Sequence, residues 1–129
     1  MREILFRGKR DKKYDKEQGW VCGVPYIDND GDCIMADDCS KRVVIPETVG
    51  QYTGVTDRNG KKIFEGDIVK GYSATGTLDF DKSVVLWSEL FSQWQVEGSA
   101  LFGSKICATY EVIGNIHDNP ELLKEGAKQ

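Results

Sequence analysis

Hydrophobic residues in this chain occur in short runs, and polar or glycine-containing turns separate them. The runs are rich in valine, isoleucine and aromatic residues, which favour β-strands. Helical periodicity is almost absent, so the pattern predicts an all-β protein. The predicted strands are residues 4–6, 20–27, 33–36, 42–45, 51–55, 62–64, 68–72, 77–80, 83–87, 93–96 and 106–113.

Two of the separating turns carry specific backbone signals. Asn59-Gly60 lies between two strand-like runs, and both residues tolerate the positive φ that a two-residue type I′ hairpin turn requires. In Glu65-Gly66-Asp67, the glycine permits a bend before the alternating residues that follow. Such a bend is common where a strand enters a small SH3-like barrel.

The last part of the chain predicts the start of a helix. Asn119 is a favourable N-cap, Pro120 suits the first helical position, and the helix dipole favours Glu121 in the first turn. Gly126 follows closely, so the helix is expected to have one to two turns and to dock on the domain through its two leucines.

These elements predict a single domain over residues 1–129. We expect an N-terminal β extension at 1–44, a small SH3-like barrel around 45–115, and a short C-terminal helix that ends near residue 123. A chain of 129 residues buries about two-thirds of its surface, which is enough for a core without cross-links.

Three stretches resemble the YopX family of phage and prophage proteins. They are residues 1–9, residues 48–70 with the Asn-Gly and Glu-Gly-Asp turns, and residues 110–123, which contain Gly-Asn-Ile-His-Asp-Asn-Pro. The stretches occur in the family's order, so the resemblance spans the chain. It implies a phage or prophage origin and the cytoplasm of a bacterial host. It implies no enzyme activity and no cofactor.

The lack of long apolar runs indicates a cytoplasmic protein, whereas the even number of four cysteines would suggest two disulfides in a secreted chain. No run approaches the roughly 20 apolar residues of a membrane span, and the first residues lack the hydrophobic region of a signal peptide. In a reducing cytosol we expect thiols instead of disulfides. Structural zinc usually takes ligands in pairs two to four residues apart. That spacing is missing for Cys22, Cys33, Cys39, Cys107 and His117, the only histidine.

Charge is distributed unevenly along the chain. The formal net charge of −4 opposes bulk attraction to nucleic acid. Residues 2–16 carry seven basic and three acidic side chains, whereas residues 28–38 carry five aspartates and no basic residue. This asymmetry suits self-association or the steering of a partner as readily as a nucleic-acid contact. The candidate contact residues are Arg7, Lys9, Arg10, Lys12 and Lys13, for which a solvated loop is the alternative interpretation.

Two acidic segments resemble chemical sites but have simpler interpretations. Asp28, Asp30 and Asp32 match the first half of a calcium-binding loop, but cysteine stands at positions 33 and 39, where glycine and a carboxylate are needed. A hairpin turn is therefore predicted. The acidic pair at 37–38 lies beside Cys39, but a reactive thiol also needs a nearby base or cation.

His117 is the only side chain whose ordinary pKa lies near neutrality. It directly precedes the predicted helix start, where contact with solvent or with the turn is the expected role. Proton transfer by His117 with a nearby carboxylate is the alternative. We expect no catalytic site, no metal site and no enzyme activity.

Aromatic residues cluster in the second half of the chain. Exposed aromatic rings on a sheet can stack nucleic-acid bases, whereas buried rings fill the core. Basic residues are sparse in this half, so a core role is predicted. The residues are Tyr72, Phe80, Trp87, Phe91, Trp94 and Phe102.

The leading functional hypothesis is a non-enzymatic interaction module that forms a homo-oligomer through exposed strand edges and the N-terminal extension. The alternative is a nucleic-acid-binding accessory protein that uses the basic residues of segment 7–16. A host or phage protein is a further possible partner. No membrane partner is expected.

Overall fold

The predicted all-β class is confirmed in a computed structural model, which describes residues 4–14, 19–37, 40–73, 75–90, 92–96, 99–100 and 109–123. The helical segments of this part are a 3-10 turn at Pro46–Thr48 and a short helix at 121–123. The strands are β1 (Phe6–Lys9), β2 (Trp20–Ile27), β3 (Cys33–Ala36), β4 (Lys41–Val43), β5 (Gly50–Thr56), β6 (Lys62–Phe64), β7 (Asp67–Tyr72), β8 (Leu78–Val84), β9 (Leu86–Ser88), β10 (Gln93–Val96), β11 (Ser99–Ala100) and β12 (Thr109–Asn115).

The chain divides into two compact units, Met1–Tyr52 and Thr53–Gln129. Strand β5 begins in the first unit and ends in the second. Each unit has its own cluster of buried hydrophobic residues. The boundary between an extension at 1–44 and the rest of the chain stays a prediction.

The first unit is an antiparallel sheet with the strand order β4-β3-β2-β1-β5. The sheet curls, because the segment after β1 also bonds to the end of β4: Asp11 N donates to the Val43 carbonyl at 3.0 Å, and Ile45 N donates to the Lys9 carbonyl at 2.9 Å. Strand β2 is central: at one end Trp20 lies opposite Lys9 of β1, and at the other end Ile27 lies opposite Cys33 of β3. Residues that lie opposite each other in an antiparallel pair share a face of the sheet, and successive residues alternate between the faces. The buried cluster on one face consists of Cys33, Met35 and Val44, with Phe6, Val21 and Val49 packed against it.

Gly23 is required for the close approach of β2 and β3. Its φ is +157°, and a Cβ atom built on it would collide with the Ala36 carbonyl. A side chain at this position would therefore push the two central strands apart.

The second unit contains the hairpin of β5 and β6 and two three-stranded sheets, with the orders β12-β7-β8 and β11-β10-β9. Alternating apolar residues of these strands point inward and form one core. Its buried members are Val55, Ile63, Val69, Val85, Trp94, Val96 and Tyr110, and Val112 packs against them.

The predicted SH3-like barrel is not confirmed. A closed barrel requires hydrogen bonding on both sides of every strand. In the described part of the second unit the strands instead form open sheets, with β8 and β12 at the edges of one and β9 and β11 at the edges of the other. The predicted strand at 106–113 is described from residue 109 onward, and residues 106–108 lie outside the described part.

The predicted type I′ turn at Asn59-Gly60 is wrong. Gly60 has a φ of +84°, but Asn59 does not have a positive φ; among the described non-glycine residues that property belongs to Ser92. The Asp57 carbonyl accepts a hydrogen bond from Gly60 N at 3.0 Å, and Asp57 N donates to the Lys61 carbonyl at 2.7 Å. The connection is therefore a three-residue loop in which a type I turn precedes a glycine bulge.

The Asp57 side chain gives the physical reason for this turn. Its Oδ1 accepts hydrogen bonds from Asn59 N at 2.8 Å and from Lys61 N at 2.9 Å. Aspartate at the first turn position favours type I geometry by this means. Asp28 repeats the arrangement between β2 and β3, where its Oδ1 accepts two backbone amides at 3.0 and 2.9 Å.

The predicted C-terminal helix is confirmed over the described residues 121–123. The Asn119 carbonyl accepts a hydrogen bond from Leu122 N at 3.1 Å, as expected of a residue at the cap position. Its side chain does not cap the helix. Instead, Asn119 Oδ1 accepts a hydrogen bond from Asn115 N at 3.2 Å and links the helix start to the end of β12.

Candidate functional site

The five basic candidates differ in accessibility. Arg7 is only 8% exposed. Lys9 and Arg10 are half-buried, and their backbones are hydrogen-bonded in the sheet to the Ile45 amide and the Gly19 carbonyl respectively. Lys12 and Lys13 are exposed in the turn after β1. The accessible cations of the set are therefore Lys12 and Lys13.

Arg7 has a packing role. Its guanidinium carbon lies 4.6 Å from the centroid of the Trp20 ring, within the range of a cation–π contact. The next residue, Gly8, points to the opposite face, where a Cβ atom would lie 3.1 Å from the Met35 side chain in the core. Arg7 therefore lies on the face of the sheet that is opposite the core cluster.

Strand β2 exposes apolar residues on the face that carries Arg7. Cys22 is the register partner of Arg7, so Cys22, Val24 and Tyr26 lie on this face at alternate positions. Cys22 is exposed, and the exposed fractions of Val24 and Tyr26 are 60% and 41%. We call these three residues the β2 stripe. Contiguous apolar side chains exposed on a central strand are typical of an interaction surface.

Charged turns follow β1 and β2. The turn after β1 contains Lys12 and Lys13 together with Asp11, and it lies beside the end of β4, because Asp11 N donates to the Val43 carbonyl at 3.0 Å. Beyond Ile27, the acidic turn 28–32 joins β2 to β3 with three aspartates. The backbone hydrogen bonds of Asp28 support the predicted turn instead of a calcium loop. Among the described residues, no group of three His, Cys, Asp or Glu side chains is arranged to hold a metal ion.

Asp57 joins three segments of the second unit. Besides the two turn amides, its carboxylate accepts a hydrogen bond from Val112 N of β12 at 3.1 Å. Burial of this carboxylate tends to raise its pKa, but the backbone hydrogen bonds from Val112, Lys61 and Asn59, and the charge of Lys61, outweigh burial and lower the pKa. The ionised form of Asp57 is therefore part of the folded structure.

Tyr72 lies at the centre of a polar cluster on β7 and β12. The guanidinium carbon of Arg58 is 4.2 Å from the Tyr72 ring centroid, and the Tyr72 hydroxyl donates to Glu111 Oε1 at 2.9 Å. Arg58 N also donates to the Tyr110 carbonyl at 2.8 Å. The cluster places one cation and one anion around a phenol, so its charges are balanced. Tyr72 is half-buried and lies outside the hydrophobic cluster, so the predicted core role is not confirmed for it.

Gly66-Asp67 and residues 114–119 lie far apart in the sequence but meet in the second unit. Asp67 is 1% exposed, its Oδ2 accepts a hydrogen bond from Phe64 N at 2.8 Å, and it lies opposite Asn115 in register. The Gly66 carbonyl accepts a hydrogen bond from Ile116 N at 2.9 Å. A buried carboxylate needs such partners, so this junction holds the bend before β7 to the end of β12.

His117 belongs to a turn that Asn115 organises. Asn115 Oδ1 accepts hydrogen bonds from the backbone amides of His117 at 3.0 Å and Asp118 at 2.9 Å. Asn115 Nδ2 donates to Asp118 Oδ2 at 3.3 Å. The backbone amide of His117 is therefore part of this turn, and the role of its imidazole stays a prediction.

In the acidic segment near Cys39, the described residue Asp37 stabilises a turn. Asp37 Oδ1 accepts hydrogen bonds from Ser40 N at 2.7 Å and from Ser40 Oγ at 3.3 Å. Asp38 and Cys39 lie outside the described residues.

The predicted core role of the aromatic residues is confirmed for Trp94, which is 8% exposed within the hydrophobic cluster. Trp87 lies opposite Trp94 across β9 and β10, with ring centroids 5.0 Å apart and planes at 70°. This edge-on contact lets Trp87 cover the buried ring while its own outer side meets solvent. The side chain of Phe80 and all of Phe91 and Phe102 lie outside the described part.

Two features of the structure were not predicted from the sequence: the β2 stripe and the third hydrogen bond of Asp57. Alternation of Cys22, Val24 and Tyr26 with Gly23 and Pro25 was visible in the sequence. The sequence does not indicate which of the two faces of β2 packs against the core. The bond from Val112 to Asp57 joins residues 55 positions apart, and no local pattern indicates it.

Helical segments within the described ranges are all too short to cross a membrane.

A search of curated proteins finds no match to this chain. Among solved structures, the chain is similar to protein EF1440 from Enterococcus faecalis, with a TM-score of 0.56 and 24% identity over 94% of this chain and 98% of that one. This likeness concerns the fold. A comparison with known families matches residues 5–124 to YopX, described as YopX protein. The chain therefore belongs to the YopX family.

Proposed function

We propose that this chain is a non-enzymatic interaction module that self-associates. The observation that supports this most directly is the β2 stripe, in which Val24 is 60% and Tyr26 41% exposed on a central strand. Covering apolar surface gains about 25 cal/mol per Å², so a partner on this face is favoured over water. We place the module in the cytoplasm of a bacterial host and propose a phage or prophage origin, as the family resemblance implies.

Sedimentation equilibrium from low to high micromolar concentration tests the proposal. The average mass should rise with concentration above that of the 14.5 kDa chain. A reductant in the buffer prevents the exposed Cys22 from linking two chains covalently. A monomer mass at every concentration would rule out self-association.

Nucleic-acid binding is a second candidate function, favoured by the surface around Lys12, Lys13 and Tyr14. Tyr14 is 53% exposed, and Lys13 Nζ lies 5.4 Å from its ring centroid. Cations neutralise phosphates, and an exposed aromatic ring can stack on a base.

Fluorescence anisotropy of labelled single-stranded RNA and DNA measures this second function. Binding should weaken as salt rises and should be lost when both Lys12 and Lys13 are changed to alanine. The matched control removes two other exposed charges of the first unit, Lys41 and Arg42. Failure to bind at low salt would exclude the candidate.

A further inference from the structure

We infer that Asn59-Gly60 is a site of spontaneous covalent modification, at which Asn59 loses its side-chain amide and becomes aspartate or isoaspartate, and that isoaspartate loosens the contact of Asp57 with β12. The inference does not depend on the proposed self-association. It concerns the turn after β5, and the reaction consumes only water.

The reaction is an attack of the Gly60 backbone nitrogen on the side-chain carbonyl carbon of Asn59. The backbone nitrogen gives its proton to water and forms a bond to Asn59 Cγ, while the side-chain nitrogen takes up a proton and leaves as ammonia. The two groups belong to neighbouring residues, so the ring closes within the chain. Water then opens the five-membered imide. Cleavage next to Cγ gives aspartate, and cleavage next to the backbone carbonyl carbon gives isoaspartate, in which the main chain passes through Cβ.

The turn leaves both reacting groups open to solvent. Asn59 is exposed, and its hydrogen bond within the described part of the chain is made by the backbone amide, to Asp57 Oδ1. Gly60 has no Cβ beside the attacking nitrogen, and a Cβ atom built there would meet no atom within 4 Å. One hydrogen bond restrains that nitrogen, since Gly60 N donates to the Asp57 carbonyl at 3.0 Å. Breaking one such bond slows the reaction only about tenfold relative to the unfolded chain.

The other asparagines of the chain lack this combination. Asn119 precedes a proline, which has no N–H to lose. Asn115 is 8% exposed, and its side chain bonds to the turn at residues 117–118. Asn29 is exposed but precedes Asp30, whose side chain crowds the amide nitrogen. We therefore expect Asn59 to react first.

The turn between β2 and β3 has the same geometry but a different side chain at the reacting position. Gly31 has a φ of +86° and donates to the Asp28 carbonyl at 3.1 Å, whereas Gly60 has a φ of +84° and donates to the Asp57 carbonyl at 3.0 Å. Asp30 stands where the other turn has asparagine. An ionised carboxylate resists attack by a nucleophile, so Asp30-Gly31 should react far more slowly at neutral pH.

Isoaspartate at position 59 disturbs the hydrogen bonds of Asp57. Asp57 Oδ1 accepts hydrogen bonds from Asn59 N at 2.8 Å and from Lys61 N at 2.9 Å, and the CH₂ group that isoaspartate adds to the main chain lies between these two donors. One oxygen then no longer holds both amides. The carboxylate also accepts a hydrogen bond from Val112 N of β12 at 3.1 Å, so this link weakens with the turn. The product further places a second carboxylate near Asp57, which like-charge repulsion disfavours.

Peptide mapping by mass spectrometry tests the site. The native chain is kept at physiological temperature and slightly alkaline pH, and peptides in which OH has replaced an amide NH₂ are followed over time. We expect two products of equal mass at Asn59, one of which co-elutes with the peptide of the Asn59→Asp variant. Conversion at Asn29 should be at least about tenfold slower, which corresponds to a barrier higher by about 1.4 kcal/mol. If Asn59 stays intact in the folded chain but converts in urea, or if Asn29 converts as fast, the inference is wrong.

Two variants separate the reaction from its effect. Asn59→Gln should stop conversion, because the longer side chain would have to close a larger ring, and it should keep the native melting temperature because position 59 is exposed. Adding Asp30→Asn to this variant moves the asparagine–glycine pair to the turn between β2 and β3. The turn bond at position 30 uses the backbone amide, so the geometry is kept. This double variant should convert at position 30 about as fast as the native chain does at position 59.

Thermal unfolding and hydrogen exchange measure the effect. The isoaspartate form of the native chain should melt about 5 °C lower and lose exchange protection at the Val112 amide. The converted double variant should keep that protection, because its modified turn lies outside the Asp57 contact. Unchanged protection of Val112 in the isoaspartate form would refute the loosening of this contact. Failure of the double variant to convert would refute the role assigned to the turn geometry.

Discussion

Asp57 offers a sharp test of how the second unit is held together. Its side chain is 7% exposed and accepts hydrogen bonds from Asn59, Lys61 and Val112. The substitution Asp57→Asn keeps one oxygen for the two turn amides. It places the new NH₂ group against Val112 N–H, so that two donors face each other and the Val112 amide loses its acceptor.

The expected loss follows from those contacts. A hydrogen bond to a charged group contributes about 1.5–3 kcal/mol, and a buried donor left without an acceptor costs about 1–3 kcal/mol. We expect Asp57→Asn to lower the free energy of unfolding by about 2–3 kcal/mol at pH 7. Asp28→Asn is the matched control, because Asp28 accepts the equivalent turn amides without a third strand. Its loss should stay below about 1 kcal/mol.

The pH dependence of this loss has a defined sign. The pKa of Asp57 is lowered in the folded chain, because its backbone hydrogen bonds and Lys61 outweigh burial. A lowered pKa gives stabilisation that is complete above the unfolded value of about 3.9 and that disappears as the pH falls through the folded value. The difference between native chain and variant should therefore narrow below about pH 4. Urea denaturation at neutral and acidic pH measures both quantities. Equal losses for Asp57→Asn and Asp28→Asn, or a difference independent of pH, would refute the reasoning.

Two further predictions concern the first unit. Gly23→Ala should destabilise the chain by about 3 kcal/mol, because its Cβ would collide with the Ala36 carbonyl at an unfavourable φ. Gly31→Ala, which meets open space at a φ of +86°, should cost only about 1–2 kcal/mol; equal shifts in thermal unfolding would contradict the role of the collision. Burial raises the pKa of the Cys33 thiol, so Cys33 should react with iodoacetamide far more slowly than exposed Cys22. Peptide mapping by mass spectrometry checks this, and similar rates at the two sites would disprove it.

Neighbouring residues in the turn after β5 favour two different turn types. The Asn59-Gly60 pair favours a type I′ turn when it is taken alone. Asp57 two residues earlier favours type I, and its hydrogen bonds decide the outcome. The same spacing of a polar acceptor and a glycine starts at Asp28 and at Ser73, whose carbonyls accept hydrogen bonds from Gly31 N and Gly76 N respectively. In all three turns the polar acceptor and the glycine are three residues apart. This pattern can therefore be recognised from the sequence alone.

The barrel prediction failed for a different reason. Strand propensity and a glycine bend indicate where strands begin, but closure depends on which edges pair. The pairing of β7 with β12 joins segments that are distant in the sequence, and the pairings of β7 with β8 and with β12 both contain register shifts. Such pairings depend on the packing of Val69 and its neighbours into a shared core.

The amino-acid sequence by itself determined the all-β class, most strand positions, the C-terminal helix and the family, because these depend on residue type and short-range spacing. Only the tertiary structure decided which face of β2 is buried and which apolar residues stay in contact with solvent. It also decided that Asp57 receives a third hydrogen bond, from Val112. Face selection and long-range bonding are set by the free energy of the whole packed unit. A strand's own alternation is the same whichever face it buries.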